Sequence, residues 1–249
     1  MLGLIIQARL GSTRLAKKML LPFYEDKGVL ELLLGKILTH IPQYKLIVAT
    51  TTSAQDDDLI NICRKLNVDF FRGSEFNVLE RFIEAAEENR FTKIIRICAD
   101  NPFIDIEQLQ HLIKIMETND LDYCSYKTIK GKPTILTHYG FWAEGVGLKA
   151  LKKVNELTTD VFYLEHVTNF IYTNPELFNI RFIGIDPEIE KHKNIRMTLD
   201  TIEDFTYLKE IYTESVKTKA NSTTDLIKLI CSNKNWTNKM ELEIKKNSK

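Results

Sequence analysis

The sequence has no excess of charge of either sign, and it is poor in glycine, proline and cysteine. Lys plus Arg and Asp plus Glu both number 34, so the net charge gives no reason to expect non-specific binding to nucleic acid or to an anionic membrane. Ten glycines and six prolines among 249 residues exclude a collagen-like or low-complexity chain. Any partner must therefore be recognised at a local site.

Cysteine spacing and the first residues bear on the cellular compartment. The four cysteines, Cys63, Cys98, Cys124 and Cys231, have neither CxxC spacing nor the density of a small secreted scaffold. The apolar run that begins the sequence is too short for the apolar region of a signal peptide, and no basic segment comes before it. We therefore expect reduced thiols and a cytoplasmic location.

Short apolar runs alternate with amphipathic segments. The runs are typical of strands buried on both faces, and the segments between them have apolar residues at helical spacing. The alternation predicts βαβ units and a mostly parallel central sheet in a three-layer α/β/α fold. The predicted strands are residues 2–7, 46–50, 68–71, 94–97, 123–126, 180–185 and 195–199. The predicted helices are residues 29–40, 56–66, 78–89, 106–116, 148–157, 164–173, 202–213 and 224–232.

The regular pattern is interrupted after residue 127. Gly131, Pro133 and Gly140 punctuate this segment, which is typical of loops. Because a chain of this length and 44% hydrophobic content fits one large domain with an elaboration, we expect a single domain at 1–235. Its insertion, at about 127–185, would form an acceptor site and a dimer contact. For the last residues, 236–249, the sequence pattern allows an edge strand or a frayed tail, and we favour the tail.

A basic loop follows the first predicted strand. Ligands of an open parallel sheet bind where the strands deliver their carboxyl ends, which is where this loop lies. Freed backbone amides, hydroxyl donors and guanidinium forks together suit a polyphosphate, although a solvated basic loop is the alternative. The loop supplies them from Arg9, Gly11, Ser12, Thr13 and Arg14, with Lys17 and Lys18 after them. Neither a Walker loop nor a GxGxxG fingerprint is present, which disfavours classical P-loop and nicotinamide sites.

Two carboxylates follow later strands in the same way. Asp100 follows the fourth predicted strand and Asp200 follows the last. Each has a structural alternative: an Asx turn for Asp100, and a part in the helix start formed by Thr201 and Asp204 for Asp200. A basic loop combined with two strand-end carboxylates describes a site for a nucleotide with Mg²⁺.

Five ordered motifs carry a resemblance. They are Ile6-Gln7-Ala8-Arg9-Leu10-Gly11-Ser12-Thr13-Arg14-Leu15, Phe71-Arg72-Gly73-Ser74 with Val78-Leu79-Glu80-Arg81-Phe82, Ala99-Asp100-Asn101-Pro102-Phe103-Ile104-Asp105, Glu165-His166-Val167-Thr168, and Leu199-Asp200-Thr201-x-Glu203-Asp204-Phe205. In this order they resemble the cytidylyltransferase family, which includes the CMP-sialate and CMP-Kdo synthetases, and in particular its spore-coat polysaccharide biosynthesis branch. The resemblance implies a nucleotide-diphospho-sugar transferase fold of the glycosyltransferase-A type, CTP as donor, Mg²⁺ as cofactor and a homodimer.

The resemblance also implies roles for single residues. The expected catalytic residues are Arg9, Arg14, Lys18, Asp100 and Asp200, of which Asp100 and Asp200 would hold Mg²⁺. The expected CTP contacts are Ala8, Arg9, Gly11, Ser12, Thr13, Arg14 and Lys18 around the triphosphate, and Arg72 and Gly73 beside the cytosine and ribose. Ala16-Lys17 replaces the usual Pro-Gly, so either Lys17 or Lys18 could reach phosphate, and the register favours Lys18.

Other polar residues have structural interpretations that compete with functional ones. His166 could contact the acceptor or a neighbouring subunit, but a lone histidine on a helix is more often structural. His138 and Trp142 lie in the insertion, where sugar binding is conceivable and packing is the default. The i, i+3 spacing of Arg81 and Glu84 predicts a surface ion pair. The acidic run at 56–58 predicts an N-cap and an acidic first turn of a helix.

The predicted reaction is nucleotidyl transfer, in which an acceptor oxygen attacks the α-phosphorus of CTP in line and pyrophosphate leaves. The loop cations would stabilise the leaving pyrophosphate, and no side chain is required as a general base. The alternatives are a glycosyltransferase of the same fold and a catalytically inactive nucleotide-binding protein. The Asp-x-Asp matches that a glycosyltransferase would need, at 56–58 and 120–122, follow no phosphate loop, and the presence of both Asp100 and Asp200 disfavours loss of activity. The expected partners are CTP and a sugar-like acceptor, with neither nucleic acid nor membrane.

Overall fold

A computed structural model describes residues 1–220 and 222–247, and its centre is a seven-stranded sheet in the order β3-β2-β1-β4-β6-β5-β7. The strands are β1 (Leu2–Gln7), β2 (Leu46–Thr51), β3 (Asp69–Gly73), β4 (Lys93–Cys98), β5 (Tyr123–Lys127), β6 (Glu144–Gly147) and β7 (Ile180–Gly184). All neighbours pair in parallel except β6, which is antiparallel to both β4 and β5. The sheet is therefore mostly parallel, as predicted.

Helices cover both faces of the sheet. They are α1 (Val29–His40), α2 (Asp57–Lys65), α3 (Val78–Glu88), α4 (Ile106–Thr118), α5 (Leu148–Leu157), α6 (Val161–Glu165), α7 (Asn169–Thr173), α8 (Pro187–Glu190), α9 (Ile202–Thr218), α10 (Thr223–Ser232) and α11 (Lys234–Lys246). Side chains alternate along each strand, so Leu4 and Ile6 of β1 join a core with α1, α4 and α9, whereas Ile5 joins a second core with α3 and α5. This arrangement confirms the three-layer α/β/α prediction.

The structure corrects several predicted elements. Residues 195–199 are extended but form no strand of the sheet, because their amides pair with loops: Met197 donates to the His138 carbonyl and Leu199 to the Asp100 carbonyl. The helix predicted at 164–173 is two short helices, α6 and α7. Strand β6 was not predicted, since its Glu-Gly-Val-Gly sequence has little strand propensity.

Residues 236–246 form neither an edge strand nor a frayed tail, and the last two residues of the predicted tail, 248–249, lie outside the described residues. They belong to the helix α11, whose residues Trp236 and Met240 are buried in the core that also contains α9 and α10. Its buried positions 236, 240 and 243 have helical spacing, which the alternation of Met240, Leu242 and Ile244 obscured. Within the described ranges, no helix has the length and apolar character needed to span a membrane.

Candidate active site

A cleft of about 260 Å³ opens at the carboxyl ends of β1 and β4. It contains the basic loop after β1 (the first loop, residues 8–18) and Asp100 after β4, as the rule for parallel sheets requires, and also Asp200, which follows no strand of the sheet. The residues around it are Gln7, Ala8, Arg9, Gly11, Ser12, Thr13, Arg14, Lys18, Met19, Cys98, Ala99, Asp100 and Asp200. Every predicted catalytic residue, and every predicted contact except Arg72 and Gly73, therefore lies around one cavity.

Asp56 anchors the first loop to the neighbouring strand. Its carboxylate accepts hydrogen bonds from the Leu10 amide at 2.8 Å and from the Thr50 and Thr51 hydroxyls at 2.8 and 2.5 Å. Burial alone would raise the pKa of Asp56, but these hydrogen bonds outweigh it and lower the pKa. Asp56 does occupy the N-cap position of α2, as predicted, although its side chain caps nothing there. Its carboxylate instead fixes the shape of the loop.

Lys18 lies between the two predicted metal ligands. Its Nζ is 3.3 Å from Asp100 Oδ2 and 3.6 Å from Asp200 Oδ1, and it donates to the Leu199 carbonyl at 2.5 Å. Lys17 turns away, with a left-handed backbone (φ 54°) and an ion pair to Asp58 at 3.3 Å. Of the two lysines, Lys18 is therefore the one that lines the cleft.

Asp200 is held by two arginines. Arg196 Nη2 donates to Asp200 Oδ2 at 3.0 Å, and Arg14 Nη2 donates to Asp200 Oδ1 at 2.8 Å. Arg196 also forms a two-pronged ion pair with Asp204, at 2.7 and 2.8 Å, which the Tyr207 hydroxyl completes at 2.5 Å. Burial would raise the pKa of Asp204, but the Arg196 and Tyr207 hydrogen bonds lower it. The buried Arg196–Asp204 pair thus fixes Asp200 at the edge of the cleft.

Arg196 was not among the predicted site residues, and Asp204 was predicted only as part of a helix start. That prediction is confirmed, because Thr201 and Asp204 form a capping box at the start of α9. Arg196 pairs with Asp200, four residues later, and with Asp204, eight residues later. Both pairs cross an irregular segment. An arginine four residues before a strand-end aspartate was the available signal, and the predicted strand at 195–199 concealed it.

The insertion borders a second cavity, of about 100 Å³, on the other side of the two carboxylates. Cys98, Asp100 and Asp200 line both cavities. The remaining residues of the second cavity are Asn101, Thr134, Ile135, Thr137, Gly140, Trp142 and Thr198. The Thr198 Oγ1 is buried and has no hydrogen-bond partner among the described residues. A buried hydroxyl without a partner is costly, so this atom is suited to meet a ligand.

Trp142 and His138 are held by packing and by Arg196. The Trp142 ring stacks on Tyr126 at 5.8 Å and meets Tyr139 and Phe141 edge-on. His138 Nδ1 lies 2.6 Å from Arg196 Nη1, and since a guanidinium only donates, Nδ1 is the acceptor. Trp142 is therefore mainly a packing residue with an edge on the second cavity, and His138 ties the insertion to Arg196.

Arg72 does not line the cleft. It donates to the Thr51 and Ser53 carbonyls at 2.9 and 2.7 Å and pairs with Asp57 at 2.8 Å. The neighbouring Gly73 is tightly packed, because a Cβ there would stand 2.8 Å from the Phe71 ring and 2.9 Å from Arg81 Cγ. Arg72 thus holds the segment between β2 and α2, and its contact with the cytosine and ribose stays a prediction.

The predicted surface ion pair of Arg81 and Glu84 is wrong. Arg81 is fully buried and donates to the Ser74 carbonyl at 2.8 Å, whereas its Nε and Nη2 have no partner within residues 1–220 and 222–247. Burial, with a smaller effect of nearby Arg9, lowers its pKa to about 10. The i, i+3 spacing of Arg81 and Glu84 suggested an exposed pair, but α3 turns the Arg81 side chain toward the sheet. There Arg81 stabilises the turn between β3 and α3 through the Ser74 carbonyl.

In the Glu-His-Val-Thr motif, the first and last residues make the polar contacts to other elements. Glu165 lies 3.6 Å from Arg9 at the mouth of the cleft. Thr168 donates to the buried Glu144 at 2.8 Å. The His166 ring contacts Phe162 at a centroid distance of 4.7 Å, which agrees with the structural interpretation. The motif therefore joins α6 and the α7 start to the sheet.

The carboxylates of Asp100 and Asp200 fit one divalent cation. Both lie within 3.6 Å of the Lys18 ammonium, so one cation already bridges them. The described residues contain no cluster of three or more metal-ligating side chains. Two carboxylates suit an ion such as Mg²⁺, which commonly takes the rest of its coordination from water and substrate phosphates.

Comparisons with known proteins agree with this geometry. The family model described as cytidylyltransferase matches residues 4–227. The spore coat polysaccharide biosynthesis protein SpsF of Bacillus subtilis is 33% identical over 234 residues, 92% of this chain and 93% of the relative. An uncharacterized protein of Methanocaldococcus jannaschii is 38% identical over 207 residues, 83% of this chain and 81% of the relative. The structure of a cytidylyltransferase from Leptospira borgpetersenii superposes with a TM-score of 0.84 at 27% identity, covering 95% of this chain and 96% of that one.

Proposed function

Because the chain belongs to the cytidylyltransferase family, and is thus a CTP-dependent nucleotidyltransferase, we propose that it transfers CMP from CTP to a sugar or sugar-acid-like acceptor and releases pyrophosphate. We place this reaction in the synthesis of a precursor of a cell-surface glycan, which the name of the Bacillus subtilis relative supports. The observation that carries the proposal is the convergence of the first loop, Lys18, Asp100 and Asp200 on one cleft.

The cations of the cleft are paired with carboxylates that a triphosphate can replace. Arg14 pairs with Asp200, Lys18 with both acids, and Arg9 with Glu165. Phosphate oxygens are strong acceptors for guanidinium and ammonium groups, so CTP would draw these cations away from the carboxylates. The amides around Gly11 and the hydroxyls of Ser12 and Thr13 would bind the remaining phosphate oxygens.

Release of Asp100 and Asp200 from Lys18 would leave them to hold Mg²⁺. When bound, such an ion supplies charge neutralisation at the phosphates. Asp200 would keep one oxygen on Arg196, which fixes the orientation of the other. Lys18 and Arg14 would stabilise the negative charge that grows on pyrophosphate as it leaves.

The second cavity is the proposed acceptor site. It adjoins the nucleotide cleft at Asp100 and Asp200, so an acceptor there would be close to the α-phosphorus. Its lining of hydroxyls and an amide, from Thr134, Thr137, Thr198 and Asn101, suits the hydroxyl groups of a sugar. We therefore propose that the insertion at about 127–185 binds the acceptor.

A glycosyltransferase reaction has less support. Of the two Asp-x-Asp matches, the first uses Asp56 to hold the loop, Asp57 to pair with Arg72 and Asp58 to pair with Lys17. In the second, Asp122 accepts from the Asn179 amide at the start of β5, the end opposite to the cleft. Neither supplies a carboxylate to the cleft.

Pyrophosphate release tests the proposal. The protein is incubated with CTP and Mg²⁺ and a panel of sugar acids, amino sugars and polyol phosphates, with ATP, GTP and UTP as controls. We expect release with CTP that depends on one acceptor class. Release that is faster with UTP or GTP than with CTP would contradict the proposed donor.

A further inference from the structure

Gln7, the last residue of β1, lines the nucleotide cleft and has a fixed orientation. Arg96 Nη2 donates to Gln7 Oε1 at 2.9 Å. Because a guanidinium has donors and no acceptor, the oxygen of the Gln7 side chain must be the atom that faces Arg96. The amide nitrogen therefore points away from Arg96, on a residue that lines the cleft, and no atom in the described part of the chain accepts a hydrogen bond from it.

A chain of buried polar groups holds Arg96 in place. Arg96 Nη1 pairs with Glu144, whose side chain is 3% exposed. Glu144 also accepts from the Tyr123 hydroxyl at 2.5 Å and from Thr168 Oγ1 at 2.8 Å. A buried ion pair contributes little net stability, since desolvation opposes its Coulomb energy. Its consequence here is positional, because it presents the Gln7 amide nitrogen in one direction.

We infer that Gln7 is a CTP-binding residue, with Nε2 donating a hydrogen bond to an oxygen of the nucleotide, an inference that rests on the proposed function. Gln7 lines the cavity that contains the first loop and is absent from the lining of the acceptor cavity. The nucleotide, with its phosphate, ribose and carbonyl oxygens, is therefore the substrate within its reach. The amide would give a directional hydrogen bond without adding charge. It would thus complement the charged contacts from the nearby Arg9, Arg14 and Lys18.

Gln7→Glu separates binding from a structural role. A carboxylate keeps an acceptor for Arg96 but replaces the donor with a second acceptor oxygen. We expect CTP affinity, measured by calorimetry with Mg²⁺, to fall tenfold or more while the melting temperature stays near that of the wild type. The matched control is Gln43→Glu, which adds the same charge at an exposed position and should leave CTP affinity unchanged.

Gln7→Met removes the donor without adding charge. We expect weaker CTP binding here too, together with a lower melting temperature because Arg96 Nη2 loses its acceptor while Nη1 keeps Glu144. If Gln7 only holds Arg96, Gln7→Met would lower the melting temperature with unchanged CTP affinity, and Gln7→Glu would bind CTP normally. Either result overturns the inference but leaves the proposed function intact. Wild-type protein that binds no CTP would overturn both.

Discussion

Arg196 Nη2 lies 3.0 Å from Asp200 Oδ2, and this contact ties a buried ion pair to the predicted metal ligand. Through its remaining nitrogens Arg196 also reaches Asp204 and His138, so one guanidinium joins the start of α9, the insertion and the cleft. Asp200 is thus oriented before any ligand arrives, which is the preorganisation expected of a catalytic carboxylate.

The first prediction concerns the carboxylates. Asp100→Asn keeps the shape of the side chain but removes its charge, so we expect kcat/KM for CTP to fall at least a hundredfold, or about 2.7 kcal/mol, with the fold intact. Asp100 is only partly buried, which makes it the cleaner test than Asp200. The control is Asp58→Asn. Asp58 pairs with Lys17 outside the cleft, so this variant should retain activity. Near-normal activity of Asp100→Asn at saturating Mg²⁺ would remove it from the site.

The second prediction concerns the phosphate loop. Arg14→Ala should lower kcat/KM for CTP tenfold or more, about 1.4 kcal/mol of transition-state stabilisation, because it removes a cation that is proposed to stabilise the leaving pyrophosphate. Arg64→Ala removes an exposed cation away from the cleft and should have no such effect. Steady-state kinetics with varied CTP test this prediction. An equal kcat/KM for both variants would contradict a role of Arg14 in binding the triphosphate.

The third prediction concerns the acceptor cavity. Thr198→Val removes a buried hydroxyl that has no hydrogen-bond partner within residues 1–220 and 222–247, so we expect unchanged or slightly higher stability and a raised acceptor KM with normal CTP affinity. Trp142→Ala should instead lose about 3–5 kcal/mol of stability, because its ring packs on three aromatic neighbours. A normal acceptor KM in Thr198→Val would show that the hydroxyl faces no acceptor.

The fourth prediction concerns pH. The pKa of Asp204 is lowered in the folded state, so its ionised form adds stability above the unfolded pKa, and this stability is lost as pH falls through the folded pKa. We expect unfolding free energy to drop below about pH 4, the ordinary range of aspartate. In Asp204→Asn, urea titrations should show about 3–5 kcal/mol lower stability at neutral pH and a weaker acid dependence. An unchanged acid dependence would contradict the role of Asp204.

The sequence predicted the layers of the fold because buried strands and amphipathic helices carry their periods locally. It also predicted that the first loop and Asp100 would meet at one cleft, since strand ends of a parallel sheet lie at one edge, whereas the predicted contacts Arg72 and Gly73 lie outside that cleft. It missed the roles of Arg196, Arg81 and Gln7, whose partners are distant in sequence or lie on another element. A charged residue on an amphipathic helix or beside a strand gives no local sign of burial, and for Arg81 the helical spacing to Glu84 pointed to the wrong partner.

Helix α11 was missed for a related reason. Its stripe of Trp236, Met240 and Glu243 includes a buried acid, which accepts from Thr201 Oγ1 at 3.0 Å. Pattern reading counts such an acid as solvent-facing, so the helix seemed to lack an apolar face. Its contact with Thr201 places α11 behind the start of α9, next to Asp200. The homodimer expected from the resemblance stays a prediction.

Titration of the protein with CTP in the presence of Mg²⁺ tests the central claim most directly. Calorimetry should give one site per chain, with CTP bound at least tenfold more tightly than UTP, GTP or ATP, and with CTP affinity strongly reduced in Arg14→Ala. Binding of CTP that is absent, or that is unchanged in Arg14→Ala, would contradict the account of the cleft as the site of a CTP-dependent nucleotidyltransferase.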